Sequence, residues 1–282
     1  KTNALRLKHH RQLEHSIESL VGAQSLQGAV LEDPKQREFQ ALFAEGRSVN
    51  LDVLRKTLGF AELASGSVQA GFDAFTGCAV SDEPCVQAFL GTFASRAYRR
   101  PATADEKASL LQLYTDVKTT FAASPTAGVQ EAARYALMGL LSAPGAIYRT
   151  ELGAPAAGAA ETTLTPNEMA DLLAYTLLDG PPDQPLLDAA AAGMLATEAQ
   201  ILAQVDRLLQ GKAARDNLTA VLLAYYGMKT LDSTQKDPET FPAYTLGLKN
   251  SMYAETERFT SNVLWNGKLN DLSNKLKQGP SP

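Results

Sequence analysis

An all-α fold of about ten helices, without a substantial sheet, is predicted by three observations. Apolar residues recur at helical spacing along most of the chain, no segment sustains period-two alternation, and helix start and stop signals separate the periodic stretches. The chain has 282 residues, of which 45% are hydrophobic and 20% charged, enough for one large core or two smaller ones. The formal net charge of -5 argues against a nucleic-acid binder, whose basic footprint would show. No apolar run approaches the roughly 18 residues of a membrane span.

In chain order, Leu13, Ile17, Leu20 and Val21 make one face of a first helix that stops at Gly22. Phe39, Leu42 and Phe43 suggest a short second helix, and Leu51, Leu54, Leu58 and Ala61 a third. Val68, Phe72 and Phe75 hint at another before Gly77. From Pro84 the pattern strengthens: Val86, Phe89, Leu90, Phe93 and Ala97 stack on one face, and Pro101 ends the run. Thr103 with Glu106 forms a capping box ahead of Leu110, Leu113, Tyr114, Val117 and Phe121. Ser124-Pro125 breaks that helix, and Val129, Ala133, Ala136, Leu137, Leu140 and Leu141 mark a small-residue-rich successor.

The Ala/Gly stretch 153–163 reads as a linker. Thr165-Pro166 with Glu168 opens a helix whose face is assigned to Met169, Leu172, Leu173, Thr176 and Leu177. Gly180-Pro181-Pro182-Asp183 forces a turn before a short helix over 186–192. Ile201, Val205, Leu208 and Leu209 mark a further helix, and Leu218, Val221, Leu222 and Tyr225 another. Residues 232–242 read as a loop, and Leu248, Met252, Phe259 and Val263 outline a last long helix. The expected organisation is an N-terminal helical segment (1–77), a helical core region (78–152), the linker (153–163), a C-terminal helical region (164–265) and an extended tail (266–282).

The two cysteines, Cys78 and Cys85, are spaced for a disulfide across a turn containing Pro84, with two free buried thiols as the alternative. A disulfide would imply an oxidising compartment. Neither cysteine starts a C-x-x-C-H, so the chain has no c-type haem attachment motif of its own. It begins at Lys1 without a signal peptide, which leads to the expectation of a removed export segment or a start inside a longer product.

Several strings resemble the planctomycete cytochrome-associated domain families, which also occur in myxobacterial proteins. They are LRLKHHRQLEHSIESLVG, CVQAFLGTFASRAYRRPAT, LLSAPGAIYRTE, LTPNEMADLLAYTLLDGPPDQPLLDAA and FPAYTLGLKNSMYAETERF, and they occur in the family's order over residues 4–260. Leu173 and Leu178 stand where the family usually shows Arg and Trp. The resemblance implies an exported protein of the periplasm, outer membrane or cell exterior. It also implies a protein partner: the rest of a precursor, or a c-type cytochrome whose haem lies outside this chain.

The densest charge feature is Arg96, Arg99 and Arg100. If the helix from Pro84 runs on, Arg100 falls in register with Val86, Phe89 and Phe93, and Glu255 falls in register with Leu248, Met252 and Phe259 on the last helix. A buried charge needs a partner, so Glu255 or Glu151 is expected to pair with Arg96 or Arg100, with Arg149 part of the same cluster. The functional alternative is an anion or haem-propionate site. His9, His10 and His15 lack metal-ligand spacing and read as exposed polar residues. Walker, nucleophile-elbow, dinucleotide, zincin and EF-hand motifs are all missing, and no catalytic residue, metal ligand or cofactor site is assigned. The expectation is a non-catalytic scaffold or interaction protein. The alternatives are part of a redox enzyme completed elsewhere, or a glycan-binding module with Tyr225 and Tyr226 exposed.

Overall fold

The computed structural model describes residues 4–22, 51–121, 125–154, 162–228 and 230–266. Thirteen helices and one two-stranded ribbon occur among them, so the fold is all-α. They group into two compact units, one up to residue 201 and one from residue 202 onward. The linker expected at 153–163 falls within the first unit, and its residues 155–161 lie outside the described ones, as do the second helix expected around Phe39 and the tail beyond residue 266.

The first unit contains β1 (Ala4–Leu7), α1 (His10–Val21), α2 (Leu51–Ala70), α3 (Phe72–Thr76), α4 (Glu83–Tyr98), α5 (Ala104–Thr120) and α6 (Pro125–Leu141). It continues with α7 (Pro144–Ile147), β2 (Tyr148–Glu151), α8 (Pro166–Leu177), α9 (Gln184–Ala191) and the start of α10 (Glu198–Gln210). Helix α6 is central, with α2, α4 and α5 packed on it. Its sequence explains this: Ala132, Ala133 and Ala136 let neighbouring backbones come close, while Leu137, Leu140 and Leu141 fill the space beyond. Phe93, Leu90 and Tyr114 are fully buried against them. Each such apolar side chain contributes roughly 1.5–3 kcal/mol on leaving water.

Helix α2 buries a different face from the one its leucines indicate, and α5 buries only part of its predicted face. In α2, Leu51, Leu54 and Leu58 are exposed, and Thr57, Phe60, Ala61, Ala64 and Val68 are buried. Close packing against the alanines of α6 selects the narrower side. In α5, Leu110 and Tyr114 are buried, but Leu113 and Phe121 are exposed.

The ribbon pairs β1 with β2 in antiparallel register, Ala4 opposite Glu151 and Leu7 opposite Tyr148. Lys8 N–H continues the ladder to Ile147 O at 3.0 Å. Four-residue strands are too short to show an alternation, and these two are more than 140 residues apart in sequence. Cys78 and Cys85 are joined by a disulfide with a Cα–Cα distance of 5.7 Å. It ties the loop after α3 to the first turn of α4, where Asp82 caps the helix through Cys85 N–H.

The second unit holds the rest of α10, α11 (Lys212–Tyr225), α12 (Thr230–Ser233) and α13 (Leu246–Asn266). Helices α11 and α13 pack together, with Thr219, Leu223, Thr260 and Val263 buried and the Arg215 guanidinium over the Trp265 ring at 5.4 Å. Tyr225 does not join the buried face of α11; it is exposed at the helix end with Tyr226, the two rings meeting edge to face.

Candidate functional site

The buried charge cluster of the first unit begins where α4 ends. Arg99 takes a left-handed conformation, φ 57°, as the helix C-cap. This breaks the helical phase, so the register that would carry Arg100 inward stops one residue short and Arg99 turns in instead, 6% exposed. Its Nε lies 2.9 and 3.0 Å from the two carboxylate oxygens of Asp171 on α8. Its two terminal nitrogens donate to the carbonyls of Ala97 and Tyr148, at 2.8 and 3.0 Å. Every face of the guanidinium is thus engaged by protein, which a buried arginine requires.

Helix α8 opens as its sequence predicts, with a Thr165–Glu168 capping box and Pro166 in the first turn. Its buried face is Glu168, Ala170, Asp171, Ala174 and Tyr175, rather than the predicted Met169, Leu172, Leu173, Thr176 and Leu177. The polar side faces inward because partners wait there. Tyr175 sits among three cations: Lys8 Nζ is 5.0 Å from its ring centre, and the Arg99 and Arg149 guanidinium carbons are each 5.6 Å away. Lys8 Nζ donates to Ala146 O at 2.6 Å and to Ser16 Oγ at 3.2 Å. Burial, reinforced by Arg99 alongside, holds the Lys8 ammonium well below the ordinary lysine range. Burial pushes the Tyr175 phenol up to about 12, and its OH shares a 2.7 Å hydrogen bond with Ser16 Oγ.

Two further pairs flank this centre. Glu151 at the end of β2 meets Arg6 Nε at 2.8 Å and Arg149 at 3.4 Å. Glu168 closes its own capping box and also accepts from the backbone N–H groups of Leu152 and Gly153, pinning the chain after β2.

At the other end, His9 caps α1: its Nδ1 accepts from Gln12 N–H, which leaves Nε2–H to meet Asp179 Oδ1 at 2.8 Å. Arg11 binds the second Asp179 oxygen, and His15 Nδ1 lies 2.9 Å from Asp179 O. Asp179 itself adopts φ 54°, a conformation aspartate tolerates better than most residues. His9 is therefore buried rather than an exposed surface residue.

Burial alone would raise the Asp179 carboxyl, but the His9 hydrogen bond and the nearby Arg11 charge outweigh it and leave it below the usual aspartate range. A depressed folded-state pKa gives stability that is fully present above the unfolded value of about 3.9 and is lost as pH falls through the folded one. Below about pH 4, therefore, wild type should lose more stability than Asp179→Asn does. Urea denaturation at pH 7 and pH 3 measures the difference, and equal losses would remove Asp179 from the acid response.

The Ser16, Lys8 and Tyr175 trio is the nearest approach to a catalytic constellation. A lysine of lowered pKa beside a serine hydroxyl can in principle act as general base toward it. Here Ser16 Oγ instead donates to Gln12 O at 2.6 Å, and all three side chains are buried. The arrangement is chemically suited to hold β1, α1, α4, β2 and α8 together. Among the described residues no three His, Cys, Asp or Glu side chains are placed to hold a metal ion. The two cysteines are joined to each other, so neither presents the free thiol that a haem thioether needs.

Of the predicted cluster, Arg99, Arg149 and Glu151 do come together. Arg100 is half-buried and pairs locally with Glu106 at 2.7 Å, which lowers that carboxyl to about 2. Arg96 is exposed, with its guanidinium 5.7 Å from the Phe93 ring. Glu151 bonds to Arg6 and Arg149, not to Arg96 or Arg100. Glu255 is exposed on α13, because Leu248 and Met252, which set its expected register, are exposed too. Sequence reasoning missed Lys8, His9, Glu168 as a two-way clamp, Asp171, Tyr175 and Asp179. One signal was available: Asp171 and Tyr175 are spaced i, i+4, one polar stripe on a helix otherwise rich in leucine.

No curated protein and no solved structure matches the chain. Residues 85–151 match the family model described as PSD5, a protein of unknown function (DUF1595). Residues 164–277 match the one described as PSD4, a protein of unknown function (DUF1592). Arg99, Arg149 and Glu151 lie in the first stretch, and Glu168, Asp171, Tyr175 and Asp179 in the second, so the buried cluster ties together two segments that are similar to these two families.

Proposed function

We propose that this chain is an exported, non-catalytic scaffold or interaction protein of a cell-envelope assembly, working beside a c-type cytochrome. The observation that carries the non-catalytic part is the saturation of the charge cluster. Lys8, Arg99, Asp171 and Tyr175 are buried, and each spends its hydrogen bonds on protein rather than presenting them to a substrate. The disulfide supports export, because such bonds persist in oxidising compartments. The cytochrome partner rests on the resemblance described above.

Native purification tests the reading, with mass spectrometry of every co-purifying chain and a visible absorption spectrum. The expected result is a stoichiometric partner with a c-type haem Soret band. A lone, colourless chain overturns the cytochrome association.

A further inference from the structure

We propose that the cleft between α5 and the corner of α6 and α7 binds an alkyl- or arylammonium group. The cleft has a volume of about 410 Å³, within the usual range for small-ligand sites. Its walls are largely apolar: the Tyr98 ring, Leu110, Leu113, Leu140, Ala143 and Pro144. Two glycines allow those walls to stand where they do. A Cβ on Gly145 would lie 2.7 Å from the Tyr98 ring, and one on Gly139 would lie 2.8 Å from Leu113 Cδ2.

Asp105, Ser109 and Tyr98 add polar residues to this lining, the first two at solvent-exposed positions. None of them makes a hydrogen bond or ion pair to another described residue. That sets the cleft apart from the buried cluster, where every such group is occupied. Glu106 also borders it, but its charge is already matched by Arg100, and it also accepts from Thr103 N–H. The charge left over is that of Asp105. A single unmatched carboxylate, with two hydroxyls beside an apolar wall, is complementary to a cation with a hydrocarbon body. A ligand carboxylate would meet repulsion there, and the Arg100 guanidinium, 5.5 Å from the Tyr98 ring, is already bound to Glu106.

This chemistry has two sources, a free amine or the lysine side chain of a partner polypeptide. The proposal does not depend on the cytochrome reading, which concerns what co-purifies rather than what this cleft recognises.

Calorimetric titration of the folded chain with benzylammonium, phenylacetate and a blocked lysine tetrapeptide tests it. The expected result is binding of benzylammonium or the tetrapeptide at least about tenfold tighter than phenylacetate, a gap set by charge sign. Tighter binding of the free amine assigns the first source, and tighter binding of the peptide the second. Asp105→Asn, at an exposed position, should weaken the cation about fivefold, the scale of a solvent-exposed ion pair. Leu113→Trp should fill the cleft and abolish binding while circular dichroism reports an unchanged helix content. Phenylacetate binding as tightly as the cation, Asp105→Asn binding like wild type, or no heat from any probe with a natively folded chain each overturns the proposal.

Discussion

Asp171→Ala lowers the unfolding free energy by about 3–5 kcal/mol, the largest single-residue effect expected in this chain. The substitution leaves Arg99 buried, with Ala97 O and Tyr148 O still accepting but no counter-charge. It also leaves Lys8 and Arg149 facing Arg99 around Tyr175 with one acidic group fewer. The cost is therefore that of stranding a charge rather than of losing a contact. The double variant Arg99→Met with Asp171→Leu should recover most of it, because removing both partners avoids the stranded ion. Urea denaturation of the two variants decides the matter. A single-variant loss under about 1 kcal/mol would mean that solvent reaches Arg99, and the closed character of the cluster would fall with it.

The second large effect is the disulfide. Cys78→Ser with Cys85→Ser should cost roughly 2.5 kcal/mol, the chain-entropy value for a loop this short. The two residues are seven apart, so the loop closed is small, and the benefit comes chiefly from restricting the unfolded chain. Adding a reductant to wild type should reproduce the loss and should leave the double-serine variant unchanged. If reductant does not shift the wild-type transition, the bond contributes nothing to equilibrium stability. The two predictions separate cleanly, since Asp171→Ala acts on the native interior and the cysteine changes act on the denatured ensemble.

The sequence is most informative where the physics is local. The capping boxes Thr103–Glu106 and Thr165–Glu168 occur where their residues predict, because Ser/Thr-x-x-Glu satisfies helix N–H groups within one turn. Gly22 and Gly77 end their helices with positive φ, as a residue without Cβ can. The disulfide spacing belongs to the same class, a short-range relation readable from seven intervening bonds of chain.

It is less informative wherever a residue's environment comes from far away. The leucines of α2 suggested a buried face, yet packing on the alanines of α6 chose Phe60, Ala61 and Ala64 instead. In α8 the apolar pattern pointed to Leu172 and Leu173, but Asp171 and Tyr175 turn inward. Arg99, which lies 72 residues earlier, supplies the counter-charge that makes burial favourable. The left-handed cap at Arg99 shifted the cluster by one residue, exchanging Arg99 for Arg100, and no helical projection carries that information.

The sequence by itself determined an all-α chain with its helix starts, its cap residues and the requirement that a buried arginine near residue 100 find a carboxylate. Only the tertiary structure decided that the arginine is Arg99, that Asp171 answers it, and that Asp105 lines a cleft. Helix formation is settled by groups within a turn or two of one another, whereas the partner of a buried charge is settled by whichever distant segment the packed core brings within hydrogen-bonding distance.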